Sequence, residues 1–193
     1  SGLVENTSVS HYRLSIHLLI AFSILSSLFW ILLNSFFQIE KKFFQFNSNN
    51  VTLKILLFFI FIQIIFGAFV SGLDAGKIYQ TWPLMNESYF PDDISLNSLL
   101  NLNQPSVVQF FHRNIAYLIF FLSICLGFNI FIKKKEILYG VFLFFFSIII
   151  IQVVLGISVL ISGVNLYFAS MHQISSIFLI VAALKLYHSS IRS

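Results

Sequence analysis

Long apolar runs alternate with short polar breaks along this chain. Five of the runs are long enough to cross a bilayer, which takes roughly 20 apolar residues. They cover about Val9–Phe37, Val51–Gly72, Pro105–Ile132, Ile137–Ile161 and Asn165–Tyr187. The runs are solid rather than made of the short alternating segments that barrel strands show. The pattern therefore predicts an all-α fold: a polytopic membrane helix bundle with five transmembrane helices. Ser1–Ser10 is a polar lead-in. The breaks are Gln38–Asn50, Leu73–Gln104, Lys133–Glu136 and a short turn around Ser162-Gly163. Leu73–Gln104 is long for a compact domain, and such loops tend to carry function.

Charge fixes an expected orientation. Lys41 and Lys42, the run Lys133-Lys134-Lys135, and Lys185 with Arg192 all fall on one side of the alternation. The positive-inside rule turns that side to the cytoplasm or matrix. The N-terminus, the acidic Leu73–Gln104 loop and the Ser162 turn then face outward. At 58% hydrophobic and 9% charged, the composition is too apolar for an ordinary soluble domain. The net charge of +4 sits at helix ends and serves topology, so the expected environment is the lipid bilayer and no nucleic acid partner is implied. Cys125 is the single cysteine, which excludes an intrachain disulfide and a cysteine metal cluster.

The polar residues inside the runs are the candidate chemistry. A histidine within a membrane helix is costly and marks a functional site by default. His112 and His172 each lie seven residues past the expected helix starts, Pro105 and Asn165. That is a depth of roughly 10 Å for both, on helices running the same way. Two imidazoles so matched could hold one metal, as in a heme iron with two axial histidines. The alternative is two polar residues hydrogen-bonded within the bundle. His17 lies near the start of the first run, with Arg13 one turn before it on the same face; His11 reads as interfacial. Arg13 and Arg113 suit carboxylates such as heme propionates, or else snorkel to lipid headgroups. Gln63 and Gln152, with Gly67 and Gly156, read as helix-packing devices rather than ligands.

The chain also repeats itself. Gln63-Ile-Ile-Phe-Gly67 recurs as Gln152-Val-Val-Leu-Gly156, and Ser71-Gly72-Leu73 recurs as Ser162-Gly163-Val164. Ser1-Gly2-Leu3 has the same form and is likewise followed by a histidine-bearing run. Internal duplication is common among membrane folds. The expectation is a parent built of two similar four-helix halves. Residues 1–50 would be the last helix and loop of the first half, and residues 51–193 the complete second half.

Several motifs together resemble the C-terminal part of heme A synthase, of the alphaproteobacterial and mitochondrial type. They are Gly72-Leu73-Asp74-Ala75-Gly76, then Thr81-Trp82-Pro83-Leu84-Met85 and Pro91-Asp92-Asp93. Gln109-Phe110-Phe111-His112-Arg113 follows with Ala116-Tyr117, then Gln152 to Gly156, and His172-Gln173. Arg13-Leu14 with His17 matches the last helix of that family's first half. Trp82 and Gln80 depart from the more usual Phe and Asn, and the paired loop cysteines of some bacterial relatives are absent.

The resemblance implies an eight-helix oxidoreductase of the inner membrane that oxidises the ring methyl of heme O to the formyl of heme A, for cytochrome c oxidase assembly. It implies His112 and His172 as iron ligands of a heme b cofactor, with Arg113 and Asp74 in its binding. It implies His17, with Arg13, on the side of the substrate heme O. His17's partner and the glutamate of the chemistry lie in helices this chain lacks, so no catalytic residue is expected here. Heme O synthase or oxidase-assembly proteins are implied partners. Two other classes compete: a membrane electron-transfer cytochrome b with a bis-histidine heme, and a transporter without metal.

Overall fold

The computed structural model describes residues 10–43 and 51–191. The Ser1-Gly2-Leu3 motif, residues 44–50 of the first polar break and Arg192 lie outside the described residues. Five long helices follow one another: α1 (His11–Phe37), α2 (Val51–Gly72), α3 (Pro105–Ile132), α4 (Tyr139–Ile161) and α5 (Leu166–Ser190). All five are long and apolar enough to cross a membrane. Among the described residues the fold is all-helical apart from an isolated bridge between Met85 and Ser88. Short 3-10 turns occupy Ala75–Lys77, Leu96–Ser98 and Glu136–Leu138.

Local chemistry explains the helix ends. Pro105 opens α3, where its missing N–H removes no helical bond. Asn165 caps α5, its side chain accepting from the Tyr167 N–H at 2.9 Å. Gln38 closes α1 in the left-handed conformation at φ 52°, its N–H turned back to the carbonyls of Asn34 and Ser35. α5 runs past Tyr187 to Ser190, because neighbours take up its last polar groups. Lys185 Nζ stands 3.8 Å over the Phe37 ring, and His188 Nε2 meets Asn34 Oδ1 at 3.0 Å.

The helices pack mainly as two pairs, α2 with α3 and α4 with α5, while α1 lies along α2 and α5. Contacts between the pairs are sparser. Antiparallel order puts the long loop and the Ser162 turn at one end, where Gly76 faces Val164 and Gly163 faces Gln80. α1 begins at this end too. A Cβ on Gly72 would fall 2.9 Å from the His11 Cα, so that crossing requires glycine.

The core sits at the opposite end. Leu56, Ile60, Ile130, Phe145, Ile180, Leu184 and Tyr187 are fully buried there. Polar bonds tie the connection after α1 to the end of α5: Lys41 Nζ donates to the His188 carbonyl at 3.0 Å, and Tyr187 OH to that of Phe43 at 2.7 Å. Burial pushes the Lys41 amine below its ordinary pKa. On α5, every buried residue lies in the second half, from Leu179 onward. On α4 the buried residues stop at Ile149.

Candidate functional site

The half of the bundle away from that core carries His112 and His172. Each ring is laid against the helix that precedes its own. Opposite His112 is Gly67 of α2, where a Cβ would stand 3.3 Å from Cε1 and 3.9 Å from Nδ1. Opposite His172 is Gly156 of α4, where a Cβ would stand 3.3 Å from Cε1 and 3.8 Å from Nδ1. The two Gln-x-x-x-Gly repeats thus share a local geometry, in which glycine admits the same imidazole edge.

The glutamines of the repeats differ. Gln63 Nε2 lies 3.3 Å from Nε2 of His112. Gln152 instead donates to the main-chain carbonyl of His172 at 3.2 Å and to Ser175 Oγ at 2.8 Å. One glutamine holds a ring; the other holds a turn of helix.

Six buried side-chain polar atoms have no hydrogen-bond partner among the described residues: His11 Nε2, Gln63 Oε1, Gln109 Oε1, His112 Nδ1, Arg113 Nε and His172 Nδ1. All lie at the histidine end. Buried polar atoms are otherwise nearly always paired, and leaving one unpaired is costly. Their concentration at the less densely packed end fits a region that receives a polar-edged group.

The long loop is docked on α3. Arg113 donates through Nη2 to the Tyr79 carbonyl at 3.0 Å and through Nη1 to that of Leu84 at 3.2 Å. Gln109, one turn earlier, donates to the same Tyr79 carbonyl at 2.8 Å. Tyr79 OH donates to Asp93 Oδ1 at 2.7 Å, and Ser106 OH donates to Asp93 Oδ2. Burial, reinforced by the Asp93 bond, raises the Tyr79 pKa above its ordinary value. At Asp93 burial acts upward, but the bonds from Ser106 and Tyr79 outweigh it and hold the carboxyl below its ordinary range. Tyr79 and Met85 are buried, so the loop is an ordered cap rather than a solvated connector.

The other sequence candidates sit apart from the two rings. Asp74 is exposed and pairs with Lys77 at 3.0 Å where the loop begins. Arg13 and His17 are exposed on α1, which packs outside the α2–α3 contact. Among the described residues no three His, Cys, Asp or Glu side chains gather as a metal cluster. Two axial imidazoles require no such cluster. Sequence reasoning misses Gln109 and Tyr79 as the bonds fastening the loop. The spacing of Gln109 and Arg113, which puts them on one face of α3, is the signal that could reveal Gln109.

Comparison with known proteins gives a consistent family. The model of the family described as cytochrome oxidase assembly protein (COX15-CtaA) matches residues 1–184. A protein named heme A synthase from Pelagibacter ubique is 47% identical over 180 residues, 92% of this chain and 52% of that protein. Proteins of the same name from Rickettsia prowazekii and Wolbachia pipientis are 35% and 41% identical, each over 93% of this chain and over 54% and 53% of their own lengths. The chain spans about half the length of these curated relatives.

Proposed function

This chain belongs to the cytochrome oxidase assembly protein family, and from that premise we propose that it is the heme b half of a heme A synthase. The whole enzyme would oxidise the methyl group of heme O to the formyl group of heme A. The observation that carries the reading is the pair of glycine-faced imidazoles, His112 and His172, at the end of the bundle where the unpartnered buried polar atoms collect.

In this reading His112 and His172 would hold the iron of one heme b. When bound, that heme supplies an electron-transfer centre within the membrane. The residues of this chain do the holding. Gly67 and Gly156 admit the rings, Gln63 lies against the Nε2 edge of His112, and α3 fixes the depth of His112. Arg113 keeps Nε unpaired and directs a buried positive charge suited to a propionate. The docked loop covers this end and keeps water from it, and Asp74 shapes the loop's start. His17 and Arg13, on the open face of α1, belong with the substrate heme O.

Residues 51–193 form the cofactor half, residues 1–50 the last helix and loop of the substrate half. The lysine-rich end faces the cytoplasm or matrix, and the membrane is the bacterial plasma membrane or the mitochondrial inner membrane. Heme O synthase and oxidase-assembly proteins are the fitting partners.

The test is to reconstitute the chain with heme in detergent, extract what it retains and assay heme O oxidation. The expected result is stoichiometric heme b with a low-spin spectrum and no heme A formed. A chain without a Soret band sinks the reading. Heme O oxidation by the chain alone overturns the division of roles.

A further inference from the structure

We propose that Gly67 and Gly156 are positioning residues that set the planes of the two axial imidazoles; this rests on the heme b reading above. A ligand histidine is ordinarily oriented by a hydrogen bond from its second ring nitrogen to a carbonyl or carboxylate. Nδ1 of both His112 and His172 is buried without a partner among the described residues, and the one bond to His112's ring, from Gln63 at 3.3 Å, falls at the other nitrogen. What each ring has instead is a glycine, at the same Cε1–Nδ1 edge and the same 3.3 Å virtual contact.

That distance decides the role. A Cβ at 3.3 Å is tighter than ordinary van der Waals contact, so a methyl group would make the ring give by a few tenths of an ångström. The helices cannot easily give in its place. His112 lies between Gln109 and Arg113, both bonded to the loop. The turn carrying His172 is held by Gln152 through its carbonyl. The ring must therefore turn about its own side-chain bonds. The match at both positions of the repeat makes one incidental contact an insufficient account.

The mutual orientation of two axial imidazole planes is read by the g values of a low-spin ferric heme. The experiment compares heme-loaded Gly67→Ala and Gly156→Ala chains with the parent by electron paramagnetic resonance, alongside heme content. Two controls separate position from packing. Gly76→Ala meets Val164 Cγ2 at 3.2 Å, an equally tight contact without a histidine, and Gly140→Ala meets nothing within 4 Å. The expected result is a six-coordinate low-spin heme in both glycine variants, with shifted g values and parental heme content, and unshifted signals in both controls. A parental spectrum in either variant overturns the assignment for its histidine. Loss of heme with helix content intact overturns it in favour of a structural role. A parent lacking the bis-imidazole signal overturns the reading of the site itself, a different outcome from either.

Discussion

The two ends of this bundle are built from the same helices and solve opposite problems. At the lysine end, Phe145, Ile180, Leu184 and Leu186 are wholly enclosed, and polar groups such as His188, Lys41 and Asn34 satisfy one another. At the histidine end, the first half of α5 has no buried residue, and all the unpartnered buried polar atoms among the described residues are found there. Association of helices in lipid relies on close packing and interhelical hydrogen bonds rather than on the hydrophobic effect. The lysine end supplies these, leaving the histidine end free to hold polar groups in an unfinished arrangement. The fold rests on one end, and the site rests on the other.

Mutations should separate the two. The largest loss of stability is expected for Phe145→Ala, about 3 kcal/mol, since a void in the packed end persists even in lipid. Unfolding in mixed detergent measures it, and the heme spectrum of the folded fraction should stay parental. Arg113→Ala comes next, about 2 kcal/mol for the lost charge-assisted bonds to two loop carbonyls. Its signature is local: faster proteolytic cleavage within 73–104, with the lysine end intact.

Much of this contrast is hidden from the sequence. The five spans follow from run length, and α2 and α3 keep the expected boundaries because polar breaks and Pro105 punctuate them. The histidines stand out as costly residues in apolar runs. What cannot be read is which helix each ring touches. Gln63 and Gln152 occupy equivalent places in one repeated motif, yet one meets a ring nitrogen and the other a main-chain carbonyl. Arg113 looks like a free cation in sequence, whereas two of its nitrogens are already bonded to carbonyls 29 and 34 residues away. The Tyr79–Asp93–Ser106 chain is equally long-range, and no local pattern announces it.

The glutamine difference predicts a smaller, asymmetric effect. Gln63→Ala and Gln152→Ala should each cost about 1 kcal/mol. Only Gln63→Ala should also alter the spectrum of the loaded site, because only Gln63 touches a ring nitrogen. Equal spectral changes in both would erase the distinction.

The smallest effect concerns pH. The folded Asp93 carboxyl is held below its ordinary 3.8, so its contribution to loop docking is complete above that value and is lost as pH falls through the folded pKa. Tyr79 is raised above 10.0, so its contribution is complete below that value and is lost as pH rises through the folded pKa. Hydrogen exchange across 73–104 should be protected evenly through neutral pH, with protection weakening only toward those two limits. An inflection near neutrality would contradict the network.

The central claim is that His112 and His172 hold one iron between them. The most direct measurement is the optical and magnetic-resonance spectrum of the heme-loaded chain carrying His112→Ala, His172→Ala, both, or His17→Ala. Each single ligand variant should shift the heme toward high spin and lower its occupancy. The double variant should lose little beyond the worse single, because both act on one site. His17→Ala should leave the low-spin signal in place. A full low-spin signal in both His112→Ala and His172→Ala, with its loss in His17→Ala, would contradict the account.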